Sequence, residues 1–285
     1  MSRAYDAITD RVIATLEAGV VPWRKPWNGQ GGMPKNLISG KAYRGINVFL
    51  LHCLAYESPF FLTFRQAKKL GGYVRKGERG CPVVFWTIRE TEEEEGKIRH
   101  VPLLRHYTVF NVAQCEGIDI PQLAEVEREH SPIEAAEHIV ENMPDAPEVR
   151  HGHTGASYSP SEDLVRMPRP EVFEDGARYY ATLFHELTHS TGHSSRLDRK
   201  LDPGLAPFGS PDYSREELVA EMGAAFLCGE AGILDTNIDQ SAAYIGGWLR
   251  KLQNDRSLVV TAAAQAQKAA DYILDRRFSE IGAST

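Results

Sequence analysis

The chain has 285 residues, 42% of them hydrophobic, 25% charged and 9% aromatic, a composition that excludes wholesale disorder and leaves room for about two domains. Its net charge of −7 is unevenly shared: residues 1–115 hold 17 Lys and Arg against 10 Asp and Glu, a balance of +7, whereas residues 116–285 hold 15 against 29, a balance of −14. No stretch approaches the roughly 18 uninterrupted apolar residues of a membrane span, and the charged N-terminus lacks the apolar centre of a secretory signal, so a soluble, cytoplasmic protein without a membrane partner is expected.

Apolar residues recur at helical spacing from Ala4 to Leu16, with Gly19 as a stop. Val20 to Gly45 reads as a loop rich in turn formers and tryptophan, and Ile46 to Tyr56 as a second helix. Phe60 to Phe64 is a short extended segment, Arg65 to Leu70 a helical turn ended by Gly71 and Gly72, and Val83 to Arg89 and Leu103 to Val112 are paired strands. The acid run Glu90 to Glu95, with Gly96, is then their solvated tip. Ile118 to Pro132, acidic and punctuated by proline, is the candidate linker. Beyond it the pattern predicts a helix over Ile133–Glu141, short strands at Glu148–His151, Ala156–Ser159 and Leu164–Met167, and helices near Phe173–Thr191, Ser214–Glu230, Ala242–Gln253 and Leu258–Phe278. This order predicts an α+β chain: a mixed α/β domain over residues 1–130, then a mostly helical domain with a small sheet over residues 131–285. Cys53, Cys81, Cys115 and Cys228 are too scattered for a disulfide scaffold or a CxxC site.

His185-Glu186-Leu187-Thr188-His189 matches H-E-x-x-H. On a helix, positions i and i+4 share a face, so both imidazoles can take corners of a zinc tetrahedron with Glu186 beside them as the catalytic proton acceptor. His193 does not fit the longer metzincin spacing, which would need histidine at Ser195. The third ligand is therefore sought on Ser214-Arg215-Glu216-Glu217-Leu218-Val219-Ala220-Glu221, where Glu217 and Glu221 share a face and Glu216 points elsewhere. We assign Glu217 as ligand, with Glu221 as the alternative. Glu221 is expected behind the ligands, orienting a histidine through its free ring nitrogen, and His193 is also placed nearby. Three protein ligands leave one position open, the arrangement of a zinc metallopeptidase attacking a peptide carbonyl; manganese or another divalent transition metal suits the same donors. Tyr213, His193 and Tyr244 are candidate oxyanion donors.

In the positive half, Trp23-Arg24-Lys25-Pro26-Trp27 sets rings beside cations, and further cations interleave with Tyr43, Phe64 and Tyr73. Single-stranded nucleic acid needs both elements, faces for bases to stack on and charges for phosphates. The candidate DNA-binding residues are Trp23, Arg24, Lys25, Trp27, Lys41, Tyr43, Arg44, Arg65, Lys68, Lys69, Arg75 and Lys76. Buried tryptophans pinning a loop to a core produce the same pattern.

Taken together, GVVPWRKPW (19–27), YRGIN (43–47), LTFRQ (62–66), the segment 71–77, VFNVAQ (109–114), HELTHSTGH (185–193), Ser195-Arg196-Leu197 and EELVAE (216–221) give the chain a sequence that resembles the ArdC family of antirestriction proteins. The resemblance implies a plasmid- or mobile-element-encoded protein that shields conjugating DNA. It also implies an N-terminal single-stranded-DNA-binding domain similar to the start of TraC-type primases and a C-terminal zincin-like metallopeptidase domain. Carried over residue by residue, it makes His185, His189 and Glu217 the metal positions and Glu186 the catalytic one. Two other expectations fit the same residues: a DNA-binding shield whose peptidase fold is structural only, and a zinc peptidase acting on a host regulator, with a host protein as substrate.

Overall fold

The computed structural model describes residues 3–24, 32–92, 98–121, 131–199, 211–233 and 242–276. Its first helix, α1 (Arg3–Glu17), buries Ala4, Ile8, Val12 and Leu16 on one stripe, as its 3.6-residue apolar spacing requires. After a single 3₁₀ turn over Pro22–Arg24, the chain forms β1 (Lys35–Asn36), α2 (Ile46–His52), β2 (Phe60–Thr63), α3 (Phe64–Lys69) and β3 (Tyr73–Val74). There follow β4 (Cys81–Glu92), β5 (Ile98–Asn111) and β6 (Cys115–Glu116). Helix α3 starts on a reciprocal cap, Thr63 accepting from the Gln66 N–H and Gln66 from the Thr63 N–H, which satisfies two otherwise orphaned donors. Strands order β1-β2-β5-β4 in a four-stranded sheet, with β1 parallel to β2 and the β4/β5 hairpin antiparallel, Val83 facing Tyr107. Glu90 and Glu92 belong to β4, so the hairpin is longer than the apolar pattern indicated; Glu93 to Gly96 lie outside the described residues. The outer edge of β4 is closed by a side chain: Asn47 Nδ2 donates to the Val84 carbonyl at 2.7 Å and its Oδ1 accepts from the Val84 N–H at 2.8 Å.

The C-terminal part contains α4 (Pro132–Glu141), β7 (Glu148–His151), β8 (Ser157–Ser159), β9 (Leu164–Met167), α5 (Gly176–Ser190), α6 (Pro211–Ala231), α7 (Ala242–Asn254) and α8 (Leu258–Ile273). Its three-stranded sheet has the order β7-β9-β8. The architecture is α+β, as the sequence pattern predicts. Several helix ends differ from that pattern, α6 for one starting at Pro211 rather than Ser214. Helix α2 stops at His52, and Ala55 follows with φ of 55°. Helix α5 begins at Gly176 because Asp175 caps the Arg178 N–H at 2.8 Å. Helix α8 ends at Ile273, before the left-handed Asp275.

A single hydrophobic cluster joins the two parts. Phe49 of α2 stacks on Phe226 of α6 with centroids 4.7 Å apart, and Trp23 meets Trp248 of α7 edge to face at 5.8 Å. The polar seam matches: Thr9 donates to the Arg256 carbonyl at 2.6 Å, Arg44 pairs with Asp271, and the Gly45 N–H donates to Gln267 Oε1 at 3.0 Å. Gly45 adopts φ 57°, ψ −137°, a conformation that favours glycine. Cys53, Cys81, Cys115 and Cys228 form no disulfide. Among the described residues no helix is long and apolar enough to cross a membrane.

Candidate metal centre and nucleic-acid surface

Helix α5 turns Leu183, Phe184 and Leu187 into the core, which aims His185 and His189 together at α6. Their Nε2 atoms are 3.1 Å apart; Glu217 Oε1 lies 3.5 Å from His189 Nε2, and Glu217 Oε2 lies 3.7 Å from His185 Nε2. A tetrahedral ion with ligands at about 2.1 Å has donor–donor edges of about 3.4 Å; each histidine meets a different Glu217 oxygen, and one donor atom from each of the three residues lies within 4.8 Å of the others, so the three side chains converge on a space that such an ion could draw together. The donor chemistry fits too. His189 Nδ1 lies 3.3 Å from Glu216 Oε1; with the proton on Nδ1, Nε2 would present a lone pair toward other electron-rich atoms, a convergence that a cation would relieve.

The helices approach closely because α6 has glycine where they meet. A Cβ on Gly223 would lie 2.4 Å from Thr188 Cγ2 and 2.7 Å from Thr188 Oγ1, Thr188 being the fourth residue of the HELTH segment. Arg199 and Arg196 close the C-terminal end of α5. Arg199 donates to the Thr188 carbonyl at 2.8 Å and Arg196 to the Ser190 carbonyl at 2.8 Å, satisfying carbonyls that a helix end leaves unpaired. Arg196, with a side chain only 1% exposed, also pairs with Asp163, donates to Tyr158 Oη at 3.4 Å and to the Asp145 carbonyl at 2.8 Å. It thereby ties strand β8 to α5, and the Tyr158 main chain acts to lower the Glu186 pKa.

Electrostatics separate the carboxylates. Burial raises the Glu186 pKa above its ordinary value against the opposing pull of His185 and His189. Burial would also raise Glu216, but His189 and Arg199 overcome it and hold that carboxyl below its ordinary value. For His185, burial acts to lower the pKa, yet Glu217, Glu186 and Glu221 prevail and raise it.

Two expectations about this centre need correction. Glu221 accepts from Trp23 Nε1 at 2.9 Å and from the Tyr244 hydroxyl, and lies 3.4 Å from Arg24 Nη2; it is turned toward the N-terminal part rather than onto a histidine. The carboxylate behind His189 is Glu216, whose Oε1 is 3.3 Å from Nδ1. His193 likewise faces elsewhere, its Nδ1 2.8 Å from Ser195 Oγ, because the chain turns at Gly192 before His193 can continue the helix face. Of the oxyanion candidates, Tyr244 is engaged with Glu221, and the Tyr213 side chain lies outside the described residues.

The DNA-binding candidates divide sharply. Trp23 is 2% exposed, and Tyr43 is buried with its ring against Phe61, so neither presents a face for stacking: both are pinned to the core. Arg24 lies over the Tyr244 ring at 3.9 Å, and Arg44 is paired with Asp271. Lys25 and Trp27 lie outside the described residues. Lys41, Arg65, Lys68, Lys69, Arg75 and Lys76 are exposed. Among the described residues the rings open to solvent are others: Phe64 at 57%, Tyr73 at 55% and Trp86 at 46%. The signal for Phe64 was its place at the first position of a capped helix too short to bury it.

Two family models cover most of the chain. One, described as the N-terminal domain of anti-restriction factor ArdC, matches residues 2–110; the other, a zincin-like metallopeptidase, matches residues 134–265. The structure resembles the Mn(II)-bound crystal structure of the antirestriction ArdC protein from plasmid R388, with a TM-score of 0.76 and 42% identity, covering 95% of this chain and 97% of that one. The chain is 38% identical to y4eC of Sinorhizobium fredii (strain NBRC 101917 / NGR234) over 94% of its own length and 91% of that protein. It is also 38% identical to the DNA primase TraC of Escherichia coli over 95% of its own length, but spans 27% of that protein.

Proposed function

Because the chain belongs to the ArdC family of antirestriction proteins, we propose that it binds single-stranded DNA and protects incoming plasmid DNA from host restriction, with a divalent-metal centre of peptidase type in the same molecule. In this reading residues 1–130 carry the DNA site and residues 131–285 the metal centre, on one shared core. The observation that carries the DNA part is the surface from Phe64 to Arg79. That segment holds six Lys or Arg against one Glu, with Arg65, Lys68, Lys69, Arg75, Lys76 and Arg79 all exposed, as are the rings of Phe64 and Tyr73. Helix α3 keeps Ala67 inward and turns Phe64, Arg65, Lys68 and Lys69 outward, so cations and a stacking face share one side. Such a surface takes a flexible strand with unstacked bases without reading its sequence.

At the metal centre His185, His189 and Glu217 would hold the ion, zinc by expectation, with manganese accepted by the same donors. When bound, a divalent ion supplies Lewis-acid polarisation and makes water more acidic. Glu186, buried beside both histidines with a raised pKa, is the group to accept a proton there and pass it on. The substrate of that chemistry would be a peptide bond of a host protein.

Oligonucleotide binding by the whole chain across salt concentration tests the DNA reading. Single-strand affinity should fall with salt, and Lys68→Ala with Lys69→Ala should flatten the slope by about 0.7 for each phosphate no longer neutralised; absence of binding at low salt would sink it. Glu186→Gln separates enzyme from shield. If the variant keeps its metal and still protects a plasmid entering a restricting host, peptidase chemistry has no part in protection.

A further inference from the structure

Helix α6 carries three carboxylates near His185 and His189, and the structure gives each different company. Glu221 is taken by Trp23, Tyr244 and Arg24. Glu217 faces both Nε2 atoms. Glu216 stands behind His189, and Arg199 grips it at both oxygens, Nη2 donating to Oε1 at 2.7 Å and Nε to Oε2 at 3.2 Å. Arg199, itself nearly buried, directs its remaining donors to Thr191 Oγ1 at 2.5 Å and the Thr188 carbonyl at 2.8 Å. The guanidinium therefore fixes the carboxylate to the end of the very helix that carries His189.

We propose that Glu216 and Arg199 form a positioning pair for the metal centre: Glu216 holds the Nδ1 proton of His189, so that Nε2 is left as the ligating nitrogen, and Arg199 holds Glu216. This rests on reading His185, His189 and Glu217 as the ligand set. The geometry favours it for two reasons. An imidazole has two tautomers, and only the one protonated at Nδ1 offers Nε2 to a metal; a carboxylate 3.3 Å from Nδ1 selects that tautomer and increases ligand basicity. A carboxylate left unpaired at this depth could also swing toward the ion itself, and the two-point grip of a guanidinium, planar and permanently charged, prevents that where a lysine would not. Glu221 cannot take the role, because it is held by Trp23 and Tyr244.

The test uses the full chain and competition with a chromogenic chelator for Zn(II) and Mn(II). Glu216→Gln keeps an acceptor but loses the charge, and should weaken metal binding about tenfold. Glu216→Leu combined with Arg199→Met removes acceptor and cation together, leaves no buried unpaired charge, and should approach a loss of about a hundredfold. In the metal-free protein, long-range proton–nitrogen spectra should show His189 protonated at Nδ1 in the wild type and lose that preference in the double variant. A purely structural role would lower the metal-free melting temperature while leaving both the tautomer and the affinity unchanged, and that result overturns the proposal. His189→Ala separates the two levels. If it retains full affinity, the ligand reading and this inference fall together. If it abolishes binding while the Glu216 variants bind as the wild type does, the ligand set stands and the positioning pair is wrong.

Discussion

Replacing Gly223 by alanine perturbs the place where α5 and α6 come closest. The new Cβ would sit 2.4 Å from Thr188 Cγ2, 2.7 Å from its Oγ1 and 3.1 Å from its Cβ, more than an ångström inside ordinary carbon contact for the methyl group. Thr188 cannot yield freely: it is fully buried, and its hydroxyl donates to the Phe184 carbonyl at 2.7 Å. Either the helices part or the threonine rotates. Overpacking of this kind costs about 1–3 kcal/mol, loss of the hydroxyl bond adds about 1 kcal/mol, and alanine returns about 1 kcal/mol through its helix propensity. A net loss of about 1–3 kcal/mol should appear in denaturant unfolding of the metal-free protein. The second consequence is specific to the site. Glu217 rides on α6, so parting the helices lengthens its 3.5 and 3.7 Å approaches to the histidine nitrogens, and metal affinity should fall together with stability. Thr188→Ala removes the two atoms that collide first, so Gly223→Ala should cost far less in that background. An equal cost in both backgrounds would refute the steric argument.

Asn47→Ala should destabilise the fold by about 2–4 kcal/mol in denaturant melts, because both main-chain groups of Val84 lose their partner while staying buried; an unchanged midpoint would show that water replaces the side chain. At Asp163, burial raises the carboxyl, but the bonds to Arg196 and Tyr158 prevail and hold it below its ordinary value. A carboxyl depressed by folding contributes stability that is fully present above the unfolded aspartate value of about 3.9 and is lost as pH falls through the folded value. Asp163→Asn should therefore cost about 3 kcal/mol near neutrality, where it strands the buried Arg196. The gap to the wild type should narrow below about pH 4; a gap independent of pH would contradict the assignment.

How much of this was legible in the sequence depended on distance along the chain. The HELTH pair and its carboxylate neighbours were readable because helical periodicity fixes which side chains share a face; it offered Glu217 with Glu221 as the alternative, and the structure sets Glu217 beside both histidines. The same reasoning misjudged its neighbours. Rotation about α6 tells that Glu216 and Glu221 flank Glu217, but not which flank meets the end of α5 and which meets the N-terminal part; only the packing of distant segments decides that. Trp23 illustrates the same limit. Its indole is bonded to a carboxylate 198 positions away, and no local pattern separates a ring stacked on a base from one sealed against Glu221 and Trp248. Phe64 and Tyr73 stood in the sequence as rings interleaved with the cations, alongside Tyr43, and that pattern did not separate the exposed rings from the buried one. Short elements around glycine turns leave them no core to enter.

The central claim is that the exposed cations and rings from Phe64 to Arg79 form the single-strand site. Binding of a fluorescent oligothymidine to the full chain, at two salt concentrations, for the wild type and for Phe64→Ala with Tyr73→Ala, tests it most directly. The account predicts salt-sensitive binding by the wild type and a loss of at least about twentyfold in the double variant, with metal content and melting temperature preserved. Unchanged affinity in a variant that stays folded would contradict it and move the DNA site away from this surface.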